Sequence, residues 1–295
     1  CSFISRNFKQ ADYVERQSGL CELALHNFPL LGLGHIRIHN RDGISYLQEM
    51  LPVDCLFLDP ARRDGHGGKT VAISDCEPDV TVLEPLLVDK AKKVMVKLSP
   101  MLDLSLALNE LKTVRAVHIV AVNNECKELL LILQKESVSS EVSIHCEHIA
   151  GNGESRHYTF TLKQEKTSPC LLADEVGTYL YEPNAAILKA GAFRSLTQTY
   201  PVAKLHLNSH LYTSVSLVPD FPGRRFRVEA VSGFGKKELK AFLMDMDKAN
   251  ITIRNFPLSV AELRKRLKLK EGGDDYIFAT TLSGGQKVLI RGKKC

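Results

Sequence analysis

Val53-Asp54-Cys55-Leu56-Phe57-Leu58-Asp59-Pro60-Ala61-Arg62-Arg63 is the stretch that decides how this chain reads. Val53 to Leu58 is an almost continuous apolar run, and Asp59-Pro60 stops it, the pattern of a buried parallel strand. A strand ending this way delivers a carboxylate to the rim of a sheet. The proline then turns the chain so that backbone carbonyls face the same place. A fixed Asp beside carbonyl oxygens can accept a hydrogen bond from an amino or hydroxyl nucleophile and orient its lone pair. The plainer alternative is a strand-end turn followed by two surface arginines.

The same grammar extends in both directions. Residues 2–9 read as the tail of a helix, and Ala11 to Glu15 as a short strand ending on an acid. Leu20 to Leu31 has helical spacing. His35 to His39 alternates and ends at Asn40-Arg41-Asp42-Gly43, and Ile44 to Met50 is a short helix. Downstream come a helix over 79–91, a strand from Lys93 to Leu98 stopped by Ser99-Pro100, a helix from Leu102 to Leu111 and a strand from Val117 to Val122. Strands alternating with helices at this spacing predict an α/β fold with a doubly wound parallel sheet. Polar residues recur at the strand ends: Glu15, Asp42, Asp59, Ser99 and Asn123. Ligands of open α/β sheets bind outside the carboxyl ends of the strands. Glu15 can accept hydrogen bonds from both hydroxyls of a ribose, and Asp42 can meet an adenine amino group. Each alone is more often a helix cap or turn residue; in this order, ahead of Asp59, they favour a nucleoside pocket. A methyl sulfonium there would make Asp59 the group that aims the nucleophile, and an in-line displacement gains much of its rate from such positioning. Arg62 and Arg63 can hold a substrate phosphate or the methionine carboxylate of S-adenosylmethionine.

The charge is uneven. The net +5 of the 295 residues combines 21 basic and 25 acidic residues before position 201 with 18 and nine from there on. A basic second half suits a polyanion. There, Phe221-Pro222-Gly223-Arg224-Arg225-Phe226 and Arg254-Asn255-Phe256-Pro257 set arginines beside aromatics, and Arg264-Lys265-Arg266-Leu267-Lys268-Leu269-Lys270 adds a basic stripe. Phosphates attract such stripes and exposed aromatics stack on unpaired bases; core packing explains the phenylalanines equally well. Residues 147–170 read as a hairpin and a boundary. Helix is expected over Asn184 to Ser195 and strand over Leu211 to Leu217. Then comes a β-α-β-α-β-β order with helices at Lys236 to Met246 and Ser259 to Leu267.

Other signals are decoys. Gly68-Lys69-Thr70 lacks the first glycine of a phosphate loop, whose place Arg63 takes. Leu282-Ser283-Gly284-Gly285-Gln286 fits a hairpin turn better than a transporter signature. The eight cysteines form no C-x-x-C pair and sit mostly in apolar surroundings, as buried reduced thiols of a cytoplasmic protein do. Cys126, beside Lys127 after a strand, is a candidate low-pKa nucleophile, against the reading of a thiol in a packed helix start. No metal site is expected. No apolar run approaches the roughly 20 residues of a membrane helix, and no signal peptide is evident, although the chain begins at Cys1 rather than Met.

With Tyr13-Val14-Glu15-Arg16, Leu58-Asp59-Pro60-Ala61-Arg62-Arg63, Asp75-Cys76-Glu77-Pro78-Asp79, Lys97-Leu98-Ser99-Pro100-Met101, Glu125 to Leu130, Tyr181-Glu182-Pro183-Asn184, Phe221 to Arg224, Arg254 to Pro257 and Phe278-Ala279-Thr280-Thr281, the chain resembles bacterial class I methyltransferases with a THUMP-like C-terminal domain. The resemblance implies a Rossmann-like methyltransferase domain over 1–172, a small ferredoxin-like domain over 173–219 and a THUMP-like basic α+β domain over 220–295. It also implies that the first strand and glycine-rich loop of the family precede this chain, which begins inside the following helix. Carried over by position, Glu15, Arg16, Asp42, Gly43 and Asp59 would hold S-adenosylmethionine. Asp59, Pro60 and Arg62 would form the catalytic loop. Arg63, Arg224, Arg254, Arg264 and Lys265 would meet RNA. Arg62 stands where amino-directed relatives carry a stacking aromatic, and Ser99 where some base-carbon methyltransferases carry a cysteine, so neither an amino target nor a covalent mechanism is implied. The expectation is therefore methyl transfer to tRNA or rRNA. A non-catalytic RNA-binding protein with a degenerate cofactor fold and a small-molecule methyltransferase are the rivals.

Overall fold

The structure is a computed structural model that describes residues 2–62, 72–135 and 141–295. The chain divides into two compact units, Cys1–Val114 with Leu131–Val138, and Arg115–Leu130 with Ser139–Cys295.

The first unit alternates strand and helix as the sequence predicts. After a short α1 (Ser2–Ser5) come β1 (Ala11–Glu15), α2 (Ser18–Leu30), β2 (Ile36–Asn40), α3 (Gly43–Glu49) and β3 (Val53–Leu58). Two short strands, β4 (Ala61–Arg62) and β5 (Cys76–Glu77), precede α4 (Val80–Lys90), β6 (Ala91–Leu98) and α5 (Leu104–Glu110). β1 pairs in parallel with β2, Glu15 opposite Asn40, in a two-stranded sheet of their own. β3 pairs in parallel with β6, Leu58 opposite Val96. Three helices start on an aspartate just after an extended segment: Asp42, Asp79 and Asp103 accept from the backbone N–H of Ser45, Thr81 and Leu106. Such a cap at half-buried Asp79 contributes about 1 kcal/mol. Glu84, on α4 and 6% exposed, takes the N–H groups of Lys112 and Thr113 at 2.8 and 2.7 Å and the Thr113 hydroxyl at 2.6 Å. It thereby locks the segment between α5 and the next strand.

Along β3, Phe57 is 37% exposed.

The second unit holds most of β7 (Val114–Val122) and β8 (Glu125–Leu133), with β9 (Ser143–Ile149), β10 (Ser155–Thr161) and α6 (Leu162–Thr167). β7 lies parallel to β9, and β9 and β10 form the expected hairpin. Asn123 and Asn124, at φ 51° and 63°, join β7 to β8. Two consecutive residues with positive φ make the tight turn that reverses a strand, so Cys126 lies in a strand and not at a helix start.

Next come β11 (Tyr179–Pro183), α7 (Ala185–Ala190), α8 (Ser195–Thr199), β12 (Ala203–Lys204) and β13 (Tyr212–Ser214). They are followed by β14 (Gly223–Ser232), α9 (Lys236–Phe242), β15 (Asn250–Arg254), α10 (Val260–Leu267), β16 (Asp275–Thr281) and β17 (Lys287–Lys294). The helix expected over Asn184 to Ser195 is shorter, because Gly191 at φ 74° caps α7. The strands form one seven-stranded sheet, β12-β13-β11-β14-β17-β16-β15, that runs without a break through residue 220. β11 pairs β14 with Pro183 opposite Gly223. A Cβ at Gly223 would fall inside van der Waals contact of the Glu182 carbonyl, so the close approach needs glycine there. The period of two sorts β16 between two cores. Ile277 and Ala279 pack with Phe242, Leu263 and Leu267 of α9 and α10, while Phe278 packs with Leu180, Phe226 and Ile290.

Candidate functional site

Glu15 and Asp59 stand at or just after the ends of β1 and β3, and Asp42 two residues beyond β2. Glu15 closes β1, and its Oε1 accepts from the Gln17 N–H at 2.8 Å. Asn40, opposite it at the end of β2, donates to the carbonyls of Glu15 and Arg16 at 3.0 and 3.1 Å and fixes that corner. Asp42 Oδ1 accepts from the Ser45 N–H at 2.9 Å and its hydroxyl at 3.1 Å. These bonds, the backbone one first, hold its carboxyl below the usual carboxylate range. Asp42 is thus the cap of α3. A Cβ placed on Gly43 would meet nothing within 4 Å, so the space beside Asp42 is open.

Asp59 follows β3 with its side chain 55% exposed, and Pro60 is buried behind it. The β3–β6 register sets Asp59 next to Lys97, whose Nζ stands 2.8 Å from Asp59 Oδ1. The ammonium offsets the carboxylate's charge and restricts its rotamer. Beyond Pro60 the backbone enters β4, where Ala61 lies opposite Glu77 and Arg62 opposite Cys76. Arg16 Nη1 stands 3.9 Å from Glu77 Oε1, both side chains largely exposed. Arg63 and the Gly68-Lys69-Thr70 stretch lie outside the described residues.

Sequence reasoning missed Lys97, although the signal existed. Once Val53 to Leu58 and Lys93 to Leu98 are paired in parallel, the residue after Leu58 must face the residue after Val96. Ser99 accepts from the Met101 N–H at 3.3 Å through its hydroxyl.

The basic second unit is arranged differently from the sequence expectation. Arg224 and Arg254 converge on Glu182, which is 2% exposed in β11. Arg224 donates to Glu182 Oε2 from Nε at 2.8 Å and from Nη2 as well. Arg254 Nη2 stands 2.8 Å from Oε1 without making a well-aligned hydrogen bond. Both guanidiniums, about a third exposed, therefore serve a buried carboxylate. Arg264 is half-buried and donates to the Ala249 carbonyl at 3.1 Å, whereas Lys265 is exposed on α10. Phe221 and Phe226 are fully buried core residues.

The surroundings of Cys126 do not favour a thiolate. Lys127, its supposed activator, pairs with Glu125 at 2.7 Å, and half-burial raises the Cys126 thiol pKa above its ordinary value. Among the described residues there is no group of three or more His, Cys, Asp or Glu placed to hold a metal, and no helix long and apolar enough to cross a membrane.

The chain joins a Rossmann-like α/β unit, with carboxylates at the ends of parallel strands, to a basic α+β sheet. Residues 179–222 match the model of a ferredoxin-like domain, and residues 223–294 match the model described as THUMP domain-like. The chain is similar to the crystal structure of a putative methyltransferase from Porphyromonas gingivalis W83. Identity is 33% and the TM-score 0.86, over 100% of this chain and 80% of that one. No curated protein matches the sequence. The chain belongs to the same family as the Porphyromonas gingivalis protein.

Proposed function

We propose that this protein transfers a methyl group from S-adenosylmethionine to RNA, tRNA or rRNA, in the cytoplasm. The observation that carries the reading is the Asp59 carboxylate, set at a strand end by Pro60 and held by Lys97 at 2.8 Å. The donor set fits the cofactor chemically. Ribose hydroxyls and an adenine amine are hydrogen-bond donors, and Glu15 and Asp42 are acceptors at the ends of adjacent strands. On this reading Glu15 and Arg16 hold the ribose side, and Asp42 and Gly43 the adenine side. When bound, the cofactor supplies an electrophilic methyl on a sulfonium. Asp59 accepts a hydrogen bond from the substrate's nucleophile and aims its lone pair. Lys97 keeps that carboxylate in place, a positioning role. Arg62 and Arg63, which follow Asp59-Pro60-Ala61 in the sequence, are candidates for the substrate phosphate. The THUMP-like match supports RNA as the substrate class, as does the excess of 17 Lys and Arg over eight Asp and Glu within residues 223–294.

The test joins calorimetry to catalysis. The full-length protein is titrated with S-adenosylmethionine and then incubated with total RNA and labelled cofactor, and the labelled nucleoside is mapped. Asp59→Ala should abolish transfer while the cofactor still binds and the fold survives, because an exposed ion pair adds only about 0–1 kcal/mol. Absence of cofactor binding by the full-length wild type overturns the proposal.

A further inference from the structure

A second site lies at one end of the seven-stranded sheet. β14 and β15 finish there and β17 begins, since Ser232 pairs with Leu289 and Thr281 with Lys287. The residues just beyond these ends, with one side of α10, line a cleft of about 320 Å³: Phe234, Phe256, Pro257, Leu258, Arg266 and Lys287. The Phe234 and Phe256 rings stack at 5.3 Å between centroids, 26° from parallel. Both are only partly buried and pack against the core under α9 and α10, which holds them in place. The Arg266 guanidinium lies over the Phe234 ring, 5.3 Å from its centroid. Lys287 and Arg266 are exposed, and the lining carries no carboxylate.

Aromatic faces, a guanidinium plane and two cations around a small cleft are what an unpaired nucleotide requires: a surface for the base and positive charge for its phosphate. The volume sits at the lower bound for ligand pockets, enough for one nucleoside and too little for a paired base. We infer that this cleft seats a single unstacked RNA base, with the base on the Phe256–Phe234–Arg266 stack and the adjoining phosphate at Lys287. The inference rests on the RNA-directed reading above and assigns the nucleotide state it selects, single-stranded rather than helical. It also relocates the contact. Sequence reading pointed to Arg254 beside Phe256, but Arg254 is engaged by Glu182, and the cations at Phe256 are Arg266 and Lys287.

The experiment is fluorescence anisotropy on the full chain with a labelled 12-residue oligouridylate, and with a blunt 12-base-pair RNA duplex. Phe256→Leu, which preserves an apolar filler, should weaken single-strand binding about tenfold and leave duplex binding unchanged. Phe256→Tyr, which preserves the ring, should bind as wild type does. Lys287→Gln should make the slope of log K against log salt shallower by about 0.7, the share of one single-strand phosphate contact. If the wild type binds neither RNA, the inference and the RNA reading fall together. If it binds and Phe256→Leu is unaffected, or loses single strand and duplex equally, the cleft assignment alone is overturned. Far-ultraviolet dichroism of each variant separates loss of binding from loss of fold.

Discussion

Arg254 should behave first as a structural residue, and the arrangement around Glu182 lets the cost be ranked. Glu182 is 2% exposed, while its two cations are each about a third exposed. Removing the carboxylate and removing a cation are therefore unequal perturbations. Glu182→Gln leaves two guanidiniums that can turn into water, and it keeps one side-chain oxygen as acceptor; about 1–2 kcal/mol should be lost. Arg224→Gln takes away both bonds to Oε2 and leaves a buried carboxylate with one obliquely placed cation. The expected loss is about 3 kcal/mol, at the low end of what breaking a buried pair costs. Arg254→Gln removes the weaker contact and should cost about 2 kcal/mol. The double variant strands the carboxylate and should approach roughly 5 kcal/mol, whereas adding Glu182→Gln to it should restore much of that loss. In a unit of this size each kcal/mol moves the melting temperature by about 2–4 °C. Thermal denaturation of the single, double and triple variants at neutral pH provides the cycle. Arg254→Gln with an unchanged melting temperature and weakened RNA binding would refute the reasoning and return that arginine to phosphate recognition.

Three further expectations can be checked directly. Glu84→Ala strands the two backbone N–H groups it now accepts, and should destabilise the first unit by roughly 3 kcal/mol in urea denaturation. Burial, then the charges of Lys204 and Arg254, lowers the His210 pKa from 6.5 to about 4. The folded state thus favours neutral His210, and this contribution is intact above pH 6.5 and disappears as pH falls to about 4. His210→Asn, which tolerates the φ of 53° there, should flatten that part of the stability profile; an unchanged acid limb would contradict it. Cys126 should react with iodoacetamide more slowly than an unperturbed thiol and accelerate only above about pH 9. Fast labelling at pH 7, read by peptide mass, would restore it as a nucleophile candidate.

What was legible in the sequence was local. Apolar runs stopped by Asp-Pro or Ser-Pro located β3 and β6, and apolar spacing located α3 and α10, whereas the Gly191 that ends α7 went unused. The Asn123-Asn124 turn is also local, yet the helix start expected at Cys126 passes over it. Two asparagines in succession are among the few residues that accept positive φ together, and missing that signal produced the wrong setting for Cys126. What was not legible depended on register. Nothing near Asp59 reveals Lys97, 38 residues away, until the parallel pairing is known. Nothing near Arg224 or Arg254 reveals that Glu182 lies between them in space.

The basic second half shows why net charge and binding site must be argued separately. Its excess of Lys and Arg survives ion pairing as a long-range field, since Glu182 cancels only one of the two charges that meet on it. Pairing does remove particular side chains from recognition. Arg291 is held by Asp275 at 2.8 Å, Arg224 by Glu182, and Arg264 by a backbone carbonyl. A field without a geometric focus attracts any polyanion and distinguishes none. Focus requires exposed cations beside a surface that phosphate alone cannot satisfy. The two phenylalanine rings with Arg266 and Lys287 meet that condition. On the cleft proposal, the stripe of α10 acts through Arg266, the member that faces an aromatic ring, while Lys265 adds field strength. Replacing Lys265 should accordingly shift affinity for every RNA by a similar factor, and replacing Phe256 should alter which RNA is preferred.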